Sequence, residues 1–184
     1  MRVIIPLASG LEEIEAITLL DVLRRGGVAA VGVSIEDEAG LDIEGSHGLG
    51  LVADEMWDEA DVDSADMIVL PGGLGGMQRL AADKRVLEAL RRFDAAGKFV
   101  GAICAAPAVL QKAGVLAGRK AVCYPGMESH IEDAQVQKGV DVVRDGNIVT
   151  GRGPGAAMAF ALAVLEMVAG AEARAKVAKG LLVE

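Results

Sequence analysis

Three short stretches of the 184-residue chain carry the side chains best suited to chemistry. The first is KFVGAICAAPAVL (98–110), where Cys104 interrupts a run of small and branched apolar residues. Phe99 to Cys104 reads as a strand and Ala106 to Gly114 as a helix, so Cys104 falls at a sharp strand-to-helix turn. Ala102 and Ala106 leave room for the turn, and Pro107 suits a first helical turn because its missing N–H would be unpaired there anyway. A sulfur at such an elbow faces a helix N-terminus, which favours thiolate over thiol. A free cysteine more often packs as a small hydrophobe; the elbow is what turns the reading toward a nucleophile. The second stretch is LEEIEAITLLDVLRRGG (11–27). Helical steps from Leu11 reach Glu15, Leu19 and Val22, which puts Glu15 in an aliphatic stripe while Glu12 and Glu13 read as ordinary first-turn acids. A carboxyl desolvated in that stripe has a raised pKa and can donate a hydrogen bond to a thiolate or shuttle protons at neutral pH. At the stripe's edge it would instead reach out to water, and spacing leaves both readings open.

The third stretch, LPGGLGG (70–76), follows a buried strand. Its glycines let backbone approach a ligand, and the amides of Gly72, Gly73 and Ala105 can together stabilise an oxyanion. The spacing matches neither GxGxxG nor a P-loop, and glycine pairs after strands are mostly turns. GRGPG (151–155) can likewise cradle an anion at a helix start, or serve as a tight turn and helix entry.

These residues need elements to hold them, and strand and helix patterns alternate along the chain. Strands are expected at 2–8, 28–35, 48–54, 65–73, 99–104 and 119–124, and helices at 11–27, 77–97, 106–114 and 153–170, the last closed by Gly170 before a short terminal helix. Asp145-Gly146 between two β-rich runs predicts a hairpin over 140–151. The β-α order predicts a doubly wound α/β sandwich with a mostly parallel sheet, helices on both faces and sites at the carboxyl ends of the strands.

Composition narrows the function. The chain is 52% hydrophobic and 3% aromatic, which suits one compact domain over 1–184 with an aliphatic core. A net charge of −9 without a basic run argues against dedicated nucleic-acid binding and for a small-molecule partner. No targeting signal is read at Met1, and AAMAFALAVL (156–165) is too short for a spanning helix, so a core helix, no membrane association and a cytoplasmic location are expected. Cys104 and Cys123 form neither a CxxC motif nor a disulfide framework, and with two histidines the expectation is no metal and no cofactor.

LEEIEA, LPGG, AICAAP and GRGPG, in this order and spacing, make the chain resemble the ThiJ/PfpI superfamily, specifically its parkinsonism-associated deglycase branch, over nearly its whole length. The resemblance implies a flavodoxin-like sandwich, a homodimer, a reactive cysteine at Cys104 and a protonated Glu15 bonded to it, with Gly72, Gly73 and Ala105 as backbone donors. It also aligns Arg25 with an arginine that can reach the partner subunit's site, and His47 in EGSHG with a basic residue near the pocket, although either can be an ordinary surface residue. Some members carry a histidine near the cysteine where AVCYPG has Tyr124, which removes the obvious general base. A tyrosine can hydrogen-bond a carbonyl there but is a poor base at neutral pH. The protease-like branch has a histidine immediately after the cysteine; here Ala105 follows, which disfavours a cysteine peptidase or amidotransferase-like hydrolase.

Two functional classes follow from the resemblance. In one, Cys104 attacks methylglyoxal-type dicarbonyls or their glycated adducts as a glutathione-independent glyoxalase (lyase) or a protein or nucleotide deglycase (hydrolase), in carbonyl and oxidative stress defence. In the other, Cys104 is oxidised in a non-catalytic, redox-sensing or chaperone-like stress protein. A flavodoxin-like nucleotide binder is a third, weaker reading, since ASGLEE puts acids where a phosphate loop would be.

Overall fold

A computed structural model describes residues 1–37 and 39–183. The aliphatic run at the N-terminus forms β1 (Arg2–Leu7), buried from Val3 onward. It leads into α1 (Glu13–Arg25), whose inner face is Glu15, Ala16, Leu19, Val22 and Leu23, and then into β2 (Ala29–Ser34). Two short strands, β3 (Asp42–Glu44) and β4 (Gly50–Val52), pair as a separate antiparallel hairpin, and β5 (Glu55–Met56) adds to the edge of β2. β6 (Met67–Leu70), α2 (Leu74–Ala82), α3 (Lys84–Ala95) and β7 (Phe99–Ile103) follow. The second half holds α4 (Pro107–Ala113), β8 (Lys120–Ala121), β9 (Gln135–Val136), β10 (Val142–Asp145), β11 (Ile148–Gly151) and α5 (Ala157–Leu181).

The central sheet has seven strands in the order β10-β11-β7-β6-β1-β2-β5. All its pairings are parallel except β10 with β11, the hairpin predicted at Asp145-Gly146. Strand order reverses between β1 and β6: the chain leaves β1 toward β2 on one side and β6 toward β7 on the other. A crevice opens beyond the carboxyl ends of the strands at such a switch point, and it is where doubly wound sheets place their ligands. The expected α/β fold with a mostly parallel sheet is therefore the observed one.

Several boundaries differ from the sequence reading, each for a local reason. The single helix expected over 77–97 is two helices, because Asp83 is extended and its carboxylate caps α3 by accepting from the amides of Arg85 and Val86. The strand expected over 119–124 keeps only Lys120 and Ala121, which pair with β9. The polar segment 36–46 contains β3, whose three residues are too few for a period-2 pattern to declare itself. At Gly170 the backbone (φ 87°, ψ 169°) breaks α5 as expected, and the apolar portion before it buries Phe160, Ala161, Val164 and Leu165 in the core.

Candidate active site

Three chain segments meet at the switch point. β7 ends at Ile103, and Cys104 follows with φ 65°, a left-handed conformation that costs a non-glycine residue of order 1–3 kcal/mol and persists only where the surroundings hold it. Those surroundings are visible. The Cys104 amide donates to the Gly151 carbonyl at 2.9 Å, the Ala106 amide to Ile103 at 3.0 Å and the Tyr124 amide to the Cys104 carbonyl at 2.8 Å. Ala102 and Ala106 are fully buried and Pro107 opens α4, so the predicted elbow is present. Cys104 itself is 8% exposed.

The first turn of α1 brings Glu15 against this elbow. Its side chain is wholly buried, which decides the question that spacing left open. Oε2 accepts from the Gly72 amide at 2.7 Å; Oε1 is buried without a partner in hydrogen-bond geometry among the described residues, and the Cys104 thiol also acts on this carboxyl. Burial lifts the Glu15 carboxyl from 4.5 to about 7, against the opposing effect of the Gly72 amide and the Cys104 thiol, with the charge of Glu12 adding to the rise.

The cysteine does not follow its sequence-based expectation. Burial pushes the Cys104 thiol up to about 12, and the charge on Glu15 adds to the shift, while the amides of Gly73 and Ala105 oppose it. The pull of a helix N-terminus toward thiolate is outweighed, because α4 is only seven residues long and the sulfur is held away from water beside a carboxyl. Between about 7 and about 12 the pair therefore shares one proton, and Glu15 is the group positioned to accept it from the sulfur.

The glycines divide their work. The Gly72 amide, expected as an oxyanion donor, is already engaged by Glu15; the two amides that act on the sulfur are those of Gly73 and Ala105. Gly72 is required for space: a Cβ there would sit 2.6 Å from both the Cys104 Cβ and Glu15 Oε2. Gly73, at φ 89°, turns the chain into α2.

A cleft of about 390 Å³ opens over the elbow, lined by Glu12, Gly73, Leu74, Cys104, Ala105, Tyr124, Pro125, Gly126, Met127 and Pro154. Tyr124 is thus in the cleft as expected, its ring against Gly153 of the GRGPG turn. Glu12, Leu74, Pro125, Gly126, Met127 and Pro154 are cleft residues that the sequence reading does not single out. Pro154 is visible as a helix opener, whereas the other five carry no pattern that distinguishes a cleft wall from ordinary surface.

His47 and Arg25 are not in the cleft lining. His47 sits on the loop between β3 and β4, its Nδ1 2.9 Å from Glu13 Oε2 and 3.7 Å from Glu12 Oε1, and these carboxylates raise its pKa, the Glu13 hydrogen bond most of all. Glu13 is not an ordinary first-turn acid. It is buried, and although burial alone would raise its pKa, the imidazole and amide of His47 with neighbouring amides hold it down at about 2. Arg25 pairs with Asp21 at 2.7 Å in the last turn of α1, roughly 15 Å along the helix axis from Glu15. His130, on a short 3-10 turn, is exposed, and no imidazole lines the cleft. Cys123 is buried, and burial pushes its thiol up to about 11.

With the geometry known, comparison with other proteins gives one consistent picture. The model of the DJ-1/PfpI family matches residues 1–167. The chain is 40% identical to Protein DJ-1 homolog B of Arabidopsis thaliana over 99% of its own length, and spans less than half the length of that relative, 41%. It is 39% identical to Protein dj-1beta of Drosophila melanogaster, covering 96% of this chain and 94% of the fly protein. The crystal structure of Drosophila DJ-1beta superposes with a TM-score of 0.95 at 38% identity, covering 100% of this chain and 98% of the other. A protein named a deglycase, from Pyrococcus abyssi, is 35% identical over 84% of this chain and 92% of its own length. The chain belongs to the DJ-1/PfpI family.

Proposed function

We propose that the protein is a cysteine-dependent enzyme of carbonyl defence, acting on methylglyoxal-type dicarbonyls or their adducts as a glyoxalase or deglycase. The observation that carries this reading is the strained Cys104 held against a fully buried Glu15 whose pKa of about 7 matches a neutral-pH acid–base catalyst. The name of the Pyrococcus abyssi relative supports the same class.

In this reading Glu15 takes the thiol proton as the sulfur attacks the aldehyde carbon of methylglyoxal. The S–C bond forms, charge develops on the carbonyl oxygen near the Gly73 and Ala105 amides, and a proton quenches it to give a hemithioacetal. Glu15 then moves a proton from C1 to C2 through an enediol, which turns the hemithioacetal into a lactoyl thioester. Water hydrolyses the thioester, returning the thiol and releasing lactate. Methylglyoxal plus water becomes lactate, so no external oxidant or reductant is consumed. With no histidine in the cleft, proton transfer rests on Glu15.

A second reading draws support from Glu15 Oε1, which has no partner in hydrogen-bond geometry among the described residues. When protonated there, Glu15 can donate to an oxygen added to the sulfur, which suits a peroxide sensor. Glutathione-free methylglyoxal consumption with lactate quantified separates the two. Many turnovers in wild type and none in Cys104→Ser support the enzyme; no turnover together with stoichiometric reaction of Cys104 with peroxide supports the sensor.

The homodimer implied by the resemblance remains part of this proposal. Ile14 and Ile17 of α1 and Leu49 and Val52 of the β3–β4 hairpin are exposed, and the hairpin loop is tied to the start of α1 by the Ser46 amide donating to Leu11 and by the His47–Glu13 contact. Exposed apolar side chains on two elements joined in this way suit burial against a second copy.

A further inference from the structure

We propose that Glu12, Glu13 and His47 form a divalent-cation site at the rim of the Cys104 cleft. The sequence, with two histidines and no CxxC, predicts no metal, but the fold folds the loop after β3 back onto the start of α1 and gathers three ligand atoms, one per residue, within 4.8 Å of one another. His47 Nδ1 lies 2.9 Å from Glu13 Oε2 and 3.7 Å from Glu12 Oε1. A zinc ion with Zn–N and Zn–O bonds of about 2.1 Å needs ligand atoms about 3.3 Å apart along a tetrahedral edge, so these separations bracket the requirement.

Three further features fit an ion better than a surface hydrogen bond alone. The two carboxylates are mostly withdrawn from water, 14% and 4% exposed, and both face the same imidazole. Glu13 is already oriented by donors that would remain beside a bound ion, the His47 amide on Oε1 at 2.6 Å and the Ser46 hydroxyl on Oε2 at 3.2 Å, as outer partners orient carboxylate ligands in metal centres. Glu12 occupies the N-cap of α1 without using its side chain to cap it, so that carboxylate is not committed to the helix. The His47 side chain is 69% exposed within its own chain, which leaves room for a further ligand, a water or a group of a second copy, at an open coordination position. Two carboxylates and one imidazole with an open position match zinc and neighbouring borderline divalent ions rather than calcium. Glu12 also lines the cleft, so an ion held here borders the space over Cys104.

Calorimetric titration of zinc into the chelator-treated, desalted 184-residue chain tests the site. One ion per chain is expected, with a rise in melting temperature at saturating zinc as the ion ties the loop to α1. Glu12→Gln leaves the His47–Glu13 contact in place and should weaken binding by more than about tenfold, the low end of what losing even an outer partner costs. His47→Ala should do the same, and circular dichroism establishes that both variants are folded. Cys104→Ser should still bind one ion. Absence of one-to-one binding in the wild type, unchanged affinity in folded Glu12→Gln, or loss of binding in Cys104→Ser would each overturn the proposal. None of these readouts uses turnover, so the result is independent of the proposed activity.

Discussion

Glu15 and Cys104 are chemically one unit, and their behaviour is set by what surrounds them rather than by residue type. Because the pair carries a single proton between about 7 and about 12, kcat/KM for a dicarbonyl should rise with one proton lost at about pH 7. Glu15→Gln should remove that limb and lower turnover about 100-fold or more. The same substitution removes the charge that holds the thiol up, so the thiol pKa read from alkylation rate against pH should fall. If neither changes, Glu15 has no part in the chemistry. A stability effect of opposite sign accompanies the loss of activity. The folded pKa of Glu15 lies above its ordinary 4.5, so the native state holds the extra proton between pH 4.5 and about 7. Its contribution is full below 4.5 and is lost as pH rises to about 7, a change of about 3 kcal/mol. Thermal melts should show Glu15→Gln more stable than wild type at pH 8, with the gap closing toward pH 4; equal melting temperatures at both pH values would contradict the buried ionisation. Cys123→Ser, by contrast, should leave turnover within about twofold, since Cys123 does not line the cleft.

At the scale of elements, the site is a consequence of where three segments end. β7 delivers the cysteine, the turn after β6 delivers the Gly72 and Gly73 amides, and the first turn of α1 delivers the carboxyl. The closeness of these segments is what makes glycine obligatory at 72. Gly72→Ala would place a methyl group into the Cys104 and Glu15 side chains, and overpacking of this kind costs about 1–3 kcal/mol. The expected outcome is a lower melting temperature with a larger proportional loss of turnover, because the methyl group displaces the reacting pair; a variant that melts lower yet turns over normally would show that the pair tolerates movement.

The whole molecule adds what no single segment contains. The switch point between β1 and β6 exists only because strands on either side of it are laid down in opposite directions across the sheet. The exposed apolar residues Ile14, Ile17, Leu49 and Val52 lie on a helix and on a separate hairpin that the chain ties to the start of that helix. Light scattering should give twice the chain mass for wild type and one chain mass for Ile17→Glu. A monomeric wild type would remove the dimer, and with it any role for Arg25 at a partner's site, since within its own chain Arg25 lies at the far end of α1 from Glu15.

Much of this was legible in the amino-acid sequence, because much of it is local. Continuous aliphatic runs, helix-terminal charges and glycine stops mark β1, α1, β6, β7 and α4, and a cysteine flanked by alanines before a proline marks the elbow. The depth of Glu15 was half legible: its spacing put it in the apolar stripe, but its burial depends on the turns after β6 and β7, which set Gly72 and Cys104 against the carboxyl. Wholly tertiary were the engagement of the Gly72 amide by Glu15, the rise of the Cys104 pKa against the pull of a helix N-terminus, and the meeting of His47 with Glu12 and Glu13. Each depends on solvent exclusion or on distances between segments remote in the chain, and neither quantity is a property of any window of sequence.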